Sequence, residues 1–250
     1  MKRCGVLTTL VCILLIGAAT CSAVTVNVPT NQGTGQDGMI YANPGVPFPL
    51  SSFYSIIAVG ATGGPHDTVA LTMFDLSTVG LTSAQVSSAT LTVYSASSKA
   101  VNATNLDPDA NNPVTVDISA VTSAWNRASM TWATQPTHGP VETSFSVNAL
   151  SQPFVVDITT LVKGWLDSPA SNFGLWLSGH SIQGSGPNQD VSPFYAVAFN
   201  SGFQANTGQP NANGPLLTIN AVPEPATWLL MACAVPALAW ARRRNLRSKN

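Results

Sequence analysis

Between residues 24 and 221 the chain has no cysteine; all four (Cys4, Cys12, Cys21 and Cys233) lie towards its ends. A disulfide or a thiolate metal site is thereby excluded from the bulk of the protein. Charge is almost as scarce. Only three basic side chains (Lys99, Arg127 and Lys163) stand against ten acidic ones in this stretch, a net of −7 that the whole-chain value of −1 conceals. So few cations exclude nucleic acid as a partner, because phosphate neutralisation has nothing to work with. A polyanionic ligand would need an added cation or a local basic site. The three histidines, His66, His138 and His180, stand apart without His-x-x-x-His or His-Glu spacing, which leaves no histidine-based metal centre. His66-Asp67 reads as a solvated loop pair. No G-x-S-x-G elbow occurs, and Gly60–Pro65 lacks the Gly-Lys-Ser/Thr of a phosphate loop. The expectation is therefore a protein that is not an enzyme, with carboxylates meeting across strands as the one remaining route to glycosidic chemistry.

Long apolar runs are confined to the two ends. Lys2 and Arg3 precede an apolar run from Val6 to Gly17, and small residues follow up to Ala23. This reads as a signal peptide over residues 1–23, cleaved by signal peptidase after Ala23. The alternative, a lipoprotein acylated on Cys21, is disfavoured by Thr20 before it. At the other end Val222-Pro223-Glu224-Pro225 leads into an apolar run from Ala226 to Ala241 and a basic stop at Arg242, Arg243 and Arg244. A sixteen-residue run is slightly short of the ~20 residues that span a bilayer, though a thin membrane would hold it. The terminal cations favour the cytoplasmic side, placing residues 24–221 outside. In motif, order and position, residues 222–250 resemble the PEP-CTERM sorting signal. That resemblance implies recognition of Pro223, Glu224 and Pro225 by an exosortase, and removal of the membrane helix. It further implies an inner-membrane intermediate, then the cell envelope or extracellular matrix.

Between the ends the chain alternates short apolar and polar runs. Leu91-Thr92-Val93-Tyr94 and Val114-Thr115-Val116-Asp117-Ile118 carry the two-residue period of half-buried strands. Similar runs fall at Val24–Val28, Tyr54–Val59, Val69–Phe74, Phe154–Ile158, Gly174–Ser178, Tyr195–Phe199 and Leu216–Asn220, separated by Gly-, Pro- and Asn-rich turns. The pattern predicts an all-β chain with one β-sandwich or jelly-roll domain over residues 24–221.

Val116-Asp117-Ile118-Ser119-Ala120-Val121-Thr122-Ser123-Ala124-Trp125 recurs as Val156-Asp157-Ile158-Thr159-Thr160-Leu161-Val162-Lys163-Gly164-Trp165. Each copy reads as a strand end followed by a short helix, N-capped by Ser119 or Thr159. Val121 and Trp125, like Leu161 and Trp165, would then share a face and plug one end of the sandwich with indole. Asp117 and Asp157 are expected to cap or to bond turns. Two short helical segments are thus predicted.

The runs Thr68–Leu76 and Val86–Tyr94, with Trp125-Asn126, Met130-Thr131-Trp132-Ala133-Thr134-Gln135-Pro136, Val156-Asp157-Ile158-Thr159, Trp165 and Asn172–Leu177, resemble the DNRLRE domain family in that order. The resemblance covers roughly residues 40–220 and implies a jelly roll similar to carbohydrate-binding modules, some of them directed to acidic polysaccharides such as alginate. One departure stands out. The family's strand before Phe-Asp-Leu usually carries a basic residue, and here Val69–Met73 has none.

Trp132, Trp176, Tyr195 and Phe203 are the candidate sugar-stacking aromatics outside the repeat. Trp176, between Leu175 and Leu177, faces opposite to both, as part of either a second buried face or an exposed platform. Asp107, Asp109 and Asn111 cluster oxygen ligands of the kind calcium prefers. Asn112 and Ile118 replace the turn glycine and final glutamate of an EF-hand loop, and such residues also favour ordinary turns. The reading reached from sequence is a non-catalytic, polysaccharide-associated protein of the envelope or matrix. A polysaccharide-degrading enzyme and a purely structural matrix protein are its rivals.

Overall fold

The computed structural model describes residues 23–41, 56–59, 68–96, 107–181, 197–203 and 209–222. Residues Thr25–Asn220 form one compact unit. The signal segment before Ala23, the Pro223-Glu224-Pro225 motif, the apolar run and the basic stop lie outside the described residues. Among those described, no helix is long and apolar enough to cross a membrane.

The strands in chain order are β1 (Val24–Pro29), β2 (Gln36–Tyr41), β3 (Ile56–Val59), β4 (Thr68–Met73), β5 (Val86–Tyr94), β6 (Val114–Val121), β7 (His138–Val147) and β8 (Pro153–Asp157). After the helix α1 (Thr159–Asp167) come β9 (Leu175–Ser181), β10 (Val197–Asn200) and β11 (Leu216–Ala221). A four-stranded sheet has the order β1-β11-β5-β8, a five-stranded sheet the order β2-β4-β9-β6-β7, and β3 pairs with β10. The two large sheets form a β-sandwich. Alternation sends Leu91 and Val93 of β5, Leu217 and Ile219 of β11, Val114, Val116 and Ile118 of β6, and Leu175 and Leu177 of β9 into one shared core.

Strands β2 and β7 carry no legible alternation. β2 contains Asp37-Gly38, which reads as a turn, and β7 contains Gly139-Pro140. β7 is the edge of its sheet, where proline is tolerated because no further strand needs its N–H.

The repeat folds in two different ways, which corrects the expectation of two helices. The second copy forms α1, but in the first copy β6 continues to Val121 and turns follow. There the backbone donors are engaged across the sheet: Val121 N–H donates to Gly174 O at 2.9 Å and Thr122 N–H to Thr137 O at 2.8 Å. Ser119, opposite Trp176 in the ladder, is no cap and is buried. Capping in the second copy also differs from expectation. Asp157 Oδ1 accepts the Thr159 N–H at 2.8 Å, while Thr159 Oγ1 accepts the Ala89 N–H at 2.8 Å and so docks α1 on β5. Trp165 is buried in the main core with Leu161 packed against it.

Two carboxylates act as turn acceptors and shift accordingly. Asp75 is lowered from 3.8 to about 2, chiefly by the Ser77 hydroxyl and then by the Thr34 and Ser77 N–H groups; Asp157 is lowered by the Thr159 hydroxyl and N–H. A carboxyl whose folded value is depressed stabilises the fold above its unfolded value, and that contribution is lost as pH falls through the folded one. Thermal unfolding should therefore show Tm dropping between pH 4 and about 2, the range over which Asp75 departs from its ordinary value. Asp75→Asn should flatten that limb. An unchanged acid limb would remove Asp75 from the account.

Candidate functional site

The outer face of the five-stranded sheet brings a row of polar side chains beside a group of aromatic ones. Because Val114, Val116 and Ile118 point into the core, the period of two turns Thr115, Asp117 and Ser119 outward. The same rule turns Trp176 and Ser178 outward on β9, and Ser144 and Ser146 on β7. Register then builds a row across the sheet. Ile40 pairs with Val69 and Val69 with Ser178, and Asp117 lies between Ser178 on one side and Ser144 on the other. Thr115 pairs with Ser146. Ser144 and Ser146 are exposed, and Thr115, Asp117 and Ser178 are half-buried. Directly opposed side chains in such a row stand about 5 Å apart.

Two residues along, the face turns apolar. Leu71 pairs with Trp176, and Trp176 with Ser119. Ile40, Val69, Leu71, Val121, Met130 and Trp176 form a second buried cluster, with Trp125, Trp132 and Phe173 packed around it. The segment 122–137 straps over this half. Its ends are joined by Thr122 and Thr137 hydroxyls 2.7 Å apart and by the Thr137 N–H on Ser123 Oγ at 2.9 Å. Its middle is held by Trp125 Nε1, which donates to Phe173 O at 2.7 Å, and by Gln36 Nε2, which donates to Trp125 O at 3.0 Å. Trp176 thus belongs to a second buried face, with 6 % of its surface exposed. The exposed His138 ring stacks on it with centroids 4.5 Å apart and planes 21° from parallel. Trp132 sits half-buried in a 3₁₀ turn, Trp132–Thr134, closed by reciprocal Thr131 and Thr134 bonds.

Behind the strap lies a buried acid that sequence reading passed over. Asp37, fully buried, accepts the Ser201 hydroxyl at 2.9 Å, the Gly202 N–H, and the Thr30 hydroxyl at 3.4 Å. Arg127 Nη1 approaches it to 3.8 Å, and the guanidinium rests 4.3 Å above the Phe203 ring. Burial pushes the Asp37 carboxyl above its ordinary value, opposed by Gly202, Ser201, Arg127 and Thr30. Gly202 is required here, since a Cβ would fall 2.2 Å from Thr30 Oγ1. No strand pattern marked the position in sequence, because Asp37-Gly38 carries a turn signal. Phe203, a stacking candidate, is a half-buried partner of Arg127.

The remaining candidates separate. Tyr195 and His66 lie outside the described residues, and His180 is a β9 residue opposite Thr115. Asp109 Oδ1 accepts the Asn111 and Asn112 N–H groups at 2.7 and 2.9 Å, and Asn112 Nδ2 reaches both carboxylate oxygens. That loop is arranged as a hydrogen-bonded turn. Among the described residues no three His, Cys, Asp or Glu side chains gather as a metal site. Glu142 and Asp157 line one open cleft of about 320 Å³ with residues 158–161. Asp157 is held in its ionised form by Thr159, the wrong state for a general acid.

Comparison with known proteins bears on the same region. The family model described as carbohydrate-binding module family 96 matches residues 55–192, from β3 to beyond β9, and so includes the outward rows of β4, β6, β7 and β9. No curated protein matches the chain.

Proposed function

Since the chain belongs to carbohydrate-binding module family 96, we propose that it is an exported, non-catalytic protein that holds polysaccharide on the outer face of its five-stranded sheet. The observation that carries this reading is the row Ser178–Asp117–Ser144 beside the His138–Trp176 stack. Sugars are recognised by hydroxyl and carboxylate groups that trade hydrogen bonds with their hydroxyls, together with flat ring surface against their C–H faces. This face presents both on rigid strands, the arrangement that holds a ligand without reorganisation. A jelly-roll architecture agrees with the sandwich and with the family.

The non-catalytic reading rests on the acids. Glycoside hydrolysis needs one carboxyl protonated near neutral pH and one ionised, both touching the sugar. Among the described residues the carboxyl pushed upward is Asp37, and it is sealed in the core. Incubating the purified full chain with polysaccharides should release neither reducing ends nor unsaturated sugars. Release of either would restore the enzyme reading.

Delivery follows from the ends. Signal peptidase cuts after Ala23, Pro223-Glu224-Pro225 is recognised by an exosortase at the membrane, and the module passes to the envelope or matrix. Intact-mass spectrometry of the protein from its native host should find the apolar run and Arg242–Arg244 missing. A mature C-terminus at Asn250 would contradict this route. Binding itself is tested on a glycan array with the full chain. Retention of one or more polysaccharides is expected, whereas retention of none would leave a purely structural matrix protein.

A further inference from the structure

We infer that the sugar ring held on this face stacks on His138, and that Trp176 is the backing of that platform and not the contact. The inference rests on the outer face being the binding face, as proposed above. Of the rings described on the apolar half of that face, His138 is the exposed one; Trp176 is buried, and Trp125, Trp132 and Phe173 are partly buried around it. Trp176 covers one side of the imidazole, with centroids 4.5 Å apart and planes 21° from parallel. The exposed surface is therefore the opposite side of the ring and its Nε2 edge. His138 Nδ1 lies 2.9 Å from Gly139 O. A carbonyl oxygen only accepts, so Nδ1 carries the hydrogen, and Nε2 of the neutral ring is left as an acceptor.

Hydroxyl groups stand beside that ring. Thr137 precedes His138, and Thr122 follows Val121, the ladder partner of His138. Both threonines are exposed, with their hydroxyls 2.7 Å apart. One of the two donates to the other, so the pair keeps one O–H to give and lone pairs to accept. The strap is pinned here by the Thr137 N–H on Ser123 Oγ at 2.9 Å, and Trp176 is itself fixed among Leu71, Val121 and Met130. A flat ring, an acceptor nitrogen and a hydroxyl pair are thus in place before a ligand arrives, which lowers the entropy cost of binding. The chemical class that fits is a pyranose unit with one open face of C–H groups and hydroxyls at its rim. The C–H face packs on the imidazole, one hydroxyl donates to Nε2, and another meets Thr122 and Thr137. Trp176, sealed below, holds the imidazole flat as its stacked partner.

The test titrates the purified full chain and its variants with cellohexaose, mannohexaose, xylohexaose and an oligouronate by calorimetry, with Tm read alongside. Wild type should bind at least one of them. His138→Ala should weaken that binding by more than about tenfold, since it removes both the flat surface and a hydrogen bond. His138→Phe keeps a flat ring and loses the acceptor. It should recover most of the loss, to within about fivefold of wild type, the worth of one neutral hydrogen bond. Thr122→Val combined with Thr137→Val should weaken binding by about fivefold for the same reason. Should Tm show that the Ala variant has lost its fold, the Phe and Val variants carry the test. Tighter binding in His138→Ala would make Trp176 the contact and His138 its cover, which overturns the inference while leaving glycan binding in place. Binding unchanged in every variant, or a Phe variant as weak as the Ala variant, overturns it too. Binding to none of these probes overturns the proposed function, and this inference with it.

Discussion

Asp37→Ala should destabilise the domain by about 3–5 kcal/mol, the range measured when one partner of a buried ion pair is removed. The loss comes from what stays behind. Arg127 would keep its place over Phe203 without the carboxylate, and the Gly202 N–H and Ser201 hydroxyl would lose their acceptor. Because Arg127 follows Trp125 within the strap, and Gln36 beside Asp37 holds the Trp125 carbonyl, the strap should loosen as well. Urea unfolding at pH 7 measures the effect, and a loss below about 1 kcal/mol would place Asp37 among ordinary single hydrogen bonds. The pH dependence has a definite sign. The folded carboxyl lies above its unfolded value of 3.8 because burial disfavours the charge. Between those two values the native state binds more protons than the unfolded one, so this group's contribution falls as pH rises. Asp37→Asn cannot titrate, and the stability gap between wild type and this variant should narrow as pH rises through that window.

The second large effect is expected at Trp165. Trp165→Ala should cost about 3–5 kcal/mol, as for other large core aromatics, because the indole is buried in the main cluster with Ile158 and Val162. Trp125, its counterpart in the sequence repeat, should tolerate the same change at about half that cost. It is only partly buried, at the margin of the second cluster, and its removal leaves the Phe173 carbonyl, now bonded at 2.7 Å, free to take water. Equal losses in denaturant unfolding would mean that the two copies still do the same job. Unequal losses in this order would show how far matched sequences have diverged in use.

That divergence shows where sequence reading reaches its limit. The strands with clean alternation, such as β5 and β6, were legible because one face is buried and the other half-exposed. β2 was not, because its Asp-Gly pair is a turn signal overridden by ladder bonds to β4. The first repeat copy has much the same local helix tendency as the second, yet Gly174 and Thr137 accept its backbone donors from across the sheet. Propensity is a weak prior when tertiary hydrogen bonds compete for the same groups. The candidate site was legible only in pieces. Trp176 was expected to face away from its neighbours, but its burial depends on a strap whose position no local pattern encodes. Asp117 drew notice as a repeat residue, and its central place in a row of hydroxyls came from register alone.

Composition, charge and two-residue alternation are properties of the chain itself. They determined an acidic, cysteine-free, mainly β domain between two apolar ends. Which side chains meet was decided by the tertiary structure: Asp37 with Ser201 and Gly202, His138 with Trp176, Ser144 with Asp117 and Ser178. These partners come from separate strands and loops, and only packing two sheets at one register joins them. A shift of a single residue would turn Asp117 into the core and Ile118 to solvent.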